Sequence, residues 1–154
     1  MTEAREALPD LAAMAAYGAR IAAQLRAGDV VALEGGLGAG KTTLARAILA
    51  ALGHAGEVPS PTFTIIETYA APPLRVAVVH ADFFRLEDPS ELAEIGLDDY
   101  REDAVLLAEW PDHAGGFSRE PGCLAITLYP QGESGEGGRI AIARGGADWV
   151  GRMP

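Results

Sequence analysis

The sequence predicts an α/β domain of three layers, with a mixed, mainly parallel central sheet between helices. Three observations carry this expectation. Gly35-Gly36-Leu37-Gly38-Ala39-Gly40-Lys41-Thr42-Thr43 has the spacing of a phosphate-binding loop and lies between an apolar run and a helical one. Two further apolar runs, Leu74–His80 and Ala104–Ala108, lead into Asp82 and Glu109. Runs that are apolar throughout belong to strands covered on both faces. Strand and helix patterns also alternate along 154 residues with no internal repeat and no linker, so one domain spanning 1–154 is expected.

Composition narrows the functional classes. Hydrophobic residues are 49% and charged residues 22%, ordinary for a soluble globular chain. The formal net charge is −10, which argues against a broad grip on nucleic acid, since phosphate contacts need a basic footprint. Any link to RNA is therefore expected to be indirect. Cys123 is the one cysteine, which excludes an internal disulfide and leaves a buried structural thiol as the expected role. Met1–Glu6 leads into no apolar signal core, and no apolar run has the length of a membrane span. A cytoplasmic location with no membrane contact is expected.

In chain order, residues 8–27 read as a helix, with Asp10 as a cap and Leu11, Met14, Ala15, Gly18, Ile21, Ala22 and Leu25 near helical spacing. It reads as a packing helix, or as one whose start lies over a nucleotide base. Gly28-Asp29 ends it, and Val30–Leu33 reads as a buried strand entering the glycine loop. Glycines let the backbone curl with its N–H groups inward, around an anion. Lys41 can reach outer phosphates, and it stands out because lysine is scarce here. The Thr42 hydroxyl can take one position on a magnesium ion. Thr43–Leu52 reads as a helix whose N-terminus adds its dipole to the site, and Gly53 stops it. These features define a P-loop NTPase-like three-layer fold, with Gly36, Leu37, Gly38, Ala39, Gly40, Lys41, Thr42 and Thr43 as candidate phosphate contacts.

Glu57 to Thr64 is a stiff proline-containing connector that carries the hydroxyls of Ser60, Thr62 and Thr64. It reads as structural, or as a segment facing a terminal phosphate. Ile65–Tyr69 and Leu74–His80 read as an antiparallel hairpin around Ala70-Ala71-Pro72-Pro73. Asp82 follows at a strand tip, where it could orient water, hold magnesium through water or accept a proton, or serve as a turn or helix cap. His80 reads as a packed strand-end histidine, and Arg85 as an ion-pair partner. Asp88–Gly96 is a short capped helix, and Leu97–Asp103 an acidic surface connection. Ala104–Ala108 ends at Glu109-Trp110-Pro111, which places Glu109 as a magnesium-site acid or a cap. Trp110 walls the site or covers a sheet edge. Cys123–Tyr129 and Arg139–Arg144 are two more strands around a glycine-rich loop, and Gly145–Pro154 shows no pattern and is expected to be a flexible tail.

Four marks taken together resemble the TsaE family of small bacterial phosphate-loop ATPases. They are Gly35–Thr43, Ser60-Pro61-Thr62-Phe63, His80-Ala81-Asp82-Phe83-Phe84-Arg85 and Glu109-Trp110-Pro111, and the resemblance covers about residues 8–144. Gly36 stands where family members often carry an acid, and Phe84 where they often carry tyrosine. The resemblance implies ATP and Mg2+ as ligands. It also implies TsaB and TsaD as partners, in threonylcarbamoyl modification of the tRNA adenosine next to the anticodon. On that reading Lys41, Thr62, Asp82 and Glu109 are the catalytic set, Thr42 and Glu109 the metal set, and Trp110 a further nucleotide contact. Weak self-association is left open. The rivals are a nucleotide-gated scaffold and a small-molecule kinase. No Asn-Lys-x-Asp motif supports a GTPase.

Overall fold

In the computed structural model, which describes residues 2–59, 66–131 and 138–154, the apolar run before the glycine loop forms the centre of a sheet. This strand, β2 (Val30–Glu34), follows β1 (Thr2–Leu8) and helix α1 (Leu11–Gln24), and is followed by α2 (Lys41–Leu52). Then come β3 (Ile66–Tyr69), β4 (Ala77–Asp82), short helices α3 (Glu91–Ile95) and α4 (Leu97–Arg101), and β5 (Ala104–Glu109). A 3-10 turn at Pro111–Ala114, β6 (Cys123–Pro130), β7 (Arg139–Gly145) and a 3-10 turn at Ala147–Trp149 complete the chain. The sheet order is β1-β7-β6-β2-β5-β4-β3. The inner strands β6, β2, β5 and β4 are mutually parallel, and β3, β7 and β1 pair antiparallel at the flanks.

The continuous apolar runs follow from this position. Val31, Leu33, Val105 and Leu107 enter the core beneath α1 and α2. Val30, Ala32, Leu106 and Ala108 enter the opposite core, with Phe83, Leu97 and Phe117. Each inner strand is thus buried on both faces, which a half-polar alternation could not satisfy. The two long helices pack closely. A Cβ built on Gly18 of α1 would lie 2.6 Å from the Ala47 Cβ of α2, so this contact requires glycine.

Four expectations need correction. Leu8 belongs to β1 and not to a helix over 8–27. Alanine and glutamate favour helix over strand, yet the segment forms a ladder because β7 offers an unpaired edge. Asp10 then caps α1 by accepting from the Ala13 N–H at 2.8 Å, as expected. The helix ends at Gln24 because the Asp29 carboxylate captures the Arg26 N–H at 2.9 Å. Leu74–Val76 is not strand either. Arg75 N donates to Leu52 O at the end of α2, and β4 begins at Ala77. Leu97–Asp103 is not merely a surface connection, because Leu97 starts α4 and is buried.

The patternless segment after Gly145 is also packed. Trp149 is fully buried and its Nε1 donates to Gly122 O at 2.8 Å. Arg152 stacks 4.2 Å from the Trp149 ring and pairs with buried Asp29 at 2.5 Å. Trp149→Ala is therefore expected to lower stability by about 3–5 kcal/mol in a denaturant titration, the usual cost of emptying a core aromatic site. A loss below about 0.5 kcal/mol, typical of a surface change, would mean the tail is not part of the core.

Candidate functional site

Parallel pairing brings three strand ends to one edge. β2 ends at the glycine loop, β4 at Asp82 and β5 at Glu109, with Asp82 and Glu109 side by side in register. Open α/β sheets gather ligand groups at this carboxyl edge. The loop must pass close to β6. A Cβ on Gly35 (φ +142°) would meet Leu128 O at 2.7 Å. Gly40 is left-handed (φ +104°) and starts α2, with Met14 Cε 3.2 Å from where its Cβ would stand.

Lys41, the first residue of α2, is the only lysine in the sequence. Its side chain is buried although Leu37 and Gly38 beside it are exposed. The ammonium donates to Gly35 O and Gly36 O, each at 2.8 Å, and lies 4.3 Å from the centre of the Trp110 ring. Burial lowers the Lys41 pKa below the ordinary lysine value, and the nearby carboxylates of Glu109 and Asp82 oppose that shift.

The next residue faces an acid. Thr42 Oγ1 donates to Glu109 Oε1 at 2.8 Å, and the other carboxylate oxygen lies 2.6 Å from His80 Nε2. Asp82 accepts from the Phe84 N–H at 2.9 Å, an Asx turn, while also lining the cavity over the loop. Its turn role and its cavity position coexist. Trp110 does not cover a sheet edge, because β5 is an inner strand. It walls the site. Its backbone is left-handed (φ 55°), and its ring packs 4.9 Å from Phe84 and 5.6 Å from His113. Phe84 contributes a ring face with no hydroxyl.

These groups enclose a cavity of about 280 Å³, lined by Leu37 to Thr43 with Asp82, Glu109, Trp110 and Arg139. A second cavity, of about 210 Å³, shares Gly40, Thr43 and Arg139 with it and is walled by Leu8 to Leu11 and Met14. The start of α1 thus adjoins the loop, as one of the two readings of that segment requires. Gly36 is not among the cavity-lining residues, and its carbonyl instead holds Lys41. Lys41, Asp82, Glu109, Thr42, Thr43 and Trp110 come together. Thr62, with the rest of Ser60–Thr64, lies outside the described residues.

Two residues make contacts that were missed. His80 is the packed strand-end side chain expected, and it also bonds Glu109. A polar residue inside an apolar strand, two positions before Asp82, was the available signal. Arg139 Nε donates to Ala39 O at 2.8 Å and Nη2 to Gly38 O at 3.0 Å, so it braces the loop from β7. Nothing local in the sequence marks it, since it is 100 residues away from Ala39.

The chain matches the family model described as "Threonylcarbamoyl adenosine biosynthesis protein TsaE" over residues 8–138. It is similar to proteins named "tRNA threonylcarbamoyladenosine biosynthesis protein TsaE". One, from Haemophilus influenzae, is 42% identical over 101 residues, 65% of this chain and 63% of that protein. Another, from Mycobacterium tuberculosis, is 43% identical over 110 residues, 67% of this chain and 66% of that protein. The matches thus span just under two thirds of these relatives' own length. The crystal structure of Bacillus subtilis YdiB superposes with a TM-score of 0.75 at 26% identity, covering 98% of this chain and 91% of that one. A family match over most of the chain, with a fold that agrees end to end, places this protein in the TsaE family.

Proposed function

We propose that the chain binds ATP with magnesium and hydrolyses it slowly, in support of a TsaB–TsaD pair that carries out threonylcarbamoyl transfer to tRNA. One observation carries this reading. A single cavity gathers the glycine loop from Leu37 to Gly40, the Lys41 ammonium, a Thr42–Glu109 hydroxyl–carboxylate pair and Asp82. The loop and the N-terminus of α2 would cradle the phosphates. Lys41 would exchange its two carbonyl partners for β- and γ-phosphate oxygens. The wall formed by Leu8, Pro9, Asp10, Leu11 and Met14 would face the base.

The donor set fits magnesium. Thr42 Oγ1 and Glu109 Oε1 are hard oxygen ligands 2.8 Å apart at the cavity wall. Among the described residues no group of three or more His, Cys, Asp or Glu is placed to hold a metal alone. Magnesium commonly takes one or two protein ligands and completes its shell with phosphate and water. Bound there, it would offset charge on the phosphates. Asp82 would orient the attacking water, with Thr62 in the supporting role that the family resemblance implies. Phosphoryl transfer needs mainly position and electrostatics, so a small set of groups can sustain slow turnover.

Partner dependence rests on two features of the chain. Arg139 is engaged with loop carbonyls, and the net charge of −10 leaves tRNA to other proteins. Addition of TsaB and TsaD is therefore expected to raise the ATPase rate. Equal rates with and without them would remove that part of the proposal. No helix among the described residues is long and apolar enough to cross a membrane.

Thermal melting tests the nucleotide. At a magnesium-ATP concentration of ~100 Kd, binding adds about 2.7 kcal/mol, which in a domain of this size raises Tm by roughly 5–10 °C. GTP should give little shift, and a larger shift with GTP would overturn the assignment. Lys41→Ala and Gly40→Val should each abolish the ATP shift while the unliganded melt stays cooperative. The first removes the ammonium; the second forces a side chain into a left-handed position against Met14. Glu109→Gln should retain nucleotide but lower kcat by about 100-fold or more, the scale seen when one electrostatic group is removed from a transition state.

A further inference from the structure

His80 is buried completely in β4, between β3 and β5, with Glu67 and Leu107 as its register neighbours. Its strand face is that of Val78 and Asp82, toward α2. An apolar side chain would meet the needs of such a position. The imidazole instead surrenders water at both nitrogens, and Nδ1 has no hydrogen-bond partner among the described residues. Among the described residues, what the ring gains is one hydrogen bond, Nε2 to Glu109 Oε2 at 2.6 Å. A carboxylate oxygen accepts, so Nε2 carries the proton and donates.

The two oxygens of Glu109 therefore have different partners. Oε2 is held by His80 from the neighbouring strand, and Oε1 is met by Thr42 from the helix start. With Oε2 anchored, rotation about the terminal torsion of Glu109 is blocked, and Oε1 is aimed at the Thr42 hydroxyl. We propose that His80 is a positioning residue for the metal site, fixing the Glu109 carboxylate so that Oε1 and Thr42 Oγ1 present two adjacent oxygens to the cation. Groups that orient metal ligands in this way commonly change metal affinity by ~10–100-fold when removed. The inference rests on the reading that Thr42 and Glu109 receive magnesium with the nucleotide. It assigns no contact between His80 and the nucleotide.

The test is a magnesium titration of ATP binding by calorimetry, with magnesium-free ADP affinity measured in parallel. His80→Leu should raise the half-saturating magnesium concentration about tenfold or more, with magnesium-free ADP affinity within about twofold of the parent value. His80→Gln should recover most of the loss, because its amide nitrogen is as many bonds from Cβ as Nε2 is. His80→Asn, whose amide stops at the Nδ1 position, should not. The Gln and Asn pair keeps the test decisive if the Leu variant fails to fold. An unchanged magnesium midpoint in the Asn variant, or equal losses in Gln and Asn, would overturn the role of His80. A parent protein that binds ATP equally with and without magnesium would overturn the metal-site reading itself, before any variant is compared.

Discussion

The parallel register of β2, β5 and β4 is the constraint on which the site depends. Leu33 pairs with Glu109, and Glu109 with Asp82, so the loop and both acids emerge together from one edge. Residues along a strand alternate between faces. A slip of one position in β5 would carry Glu109 to the face of Phe83 and Phe117, away from Thr42. Because β5 is buried on both faces, that slip would exchange the side chains of its two apolar cores and set the Glu109 carboxylate among apolar groups, where an unpaired charge is costly. Core packing and the placing of the site are thus one constraint.

Electrostatics at this edge follow from scarcity. The chain carries an excess of acids, and it places its only lysine where two of them act on it. Burial opposes the charged ammonium, and the two carboxylates restore part of what burial removes. The loop carbonyls satisfy two of its donors, and Arg139 holds the carbonyls of Gly38 and Ala39 from the other side. The carbonyls of Gly35, Gly36, Gly38 and Ala39 are therefore held by the two cations.

Where the site could be read from sequence, the signal was local. The glycine loop, Asp10, Gly53, Asp82 and Glu109 each lie within a few residues of the pattern that marks them. The inner strands were legible because burial on both faces removes polar residues from the run. β1 was not, since its residues favour helix and its strand state comes from the edge of β7, more than 130 residues later. Trp149 and Arg152 were missed for the same reason, as their partners Gly122 and Asp29 are remote in sequence. Arg139 carries no mark of its own, because a lone arginine at a strand start is common. His80 had a signal, a polar residue in an apolar run, but sequence cannot say which distant acid it meets.

The chain between Glu109 and the following 3-10 turn shows how strain and function meet. Trp110 adopts a left-handed backbone (φ 55°, ψ 53°), which costs a non-glycine residue about 1–2 kcal/mol. Pro111 fixes the next φ, so the reversal falls on Trp110 itself. The result is that the indole turns back over the cavity instead of continuing along β5. There it covers the Lys41 ammonium at 4.3 Å and packs against Phe84 and His113. A desolvated cation over an indole contributes ~2 kcal/mol, enough to offset the backbone cost. Glycine at this position would relax the backbone but leave Lys41 without its lid. The turn that ends the acid-bearing strand thus also lays the indole over the lysine.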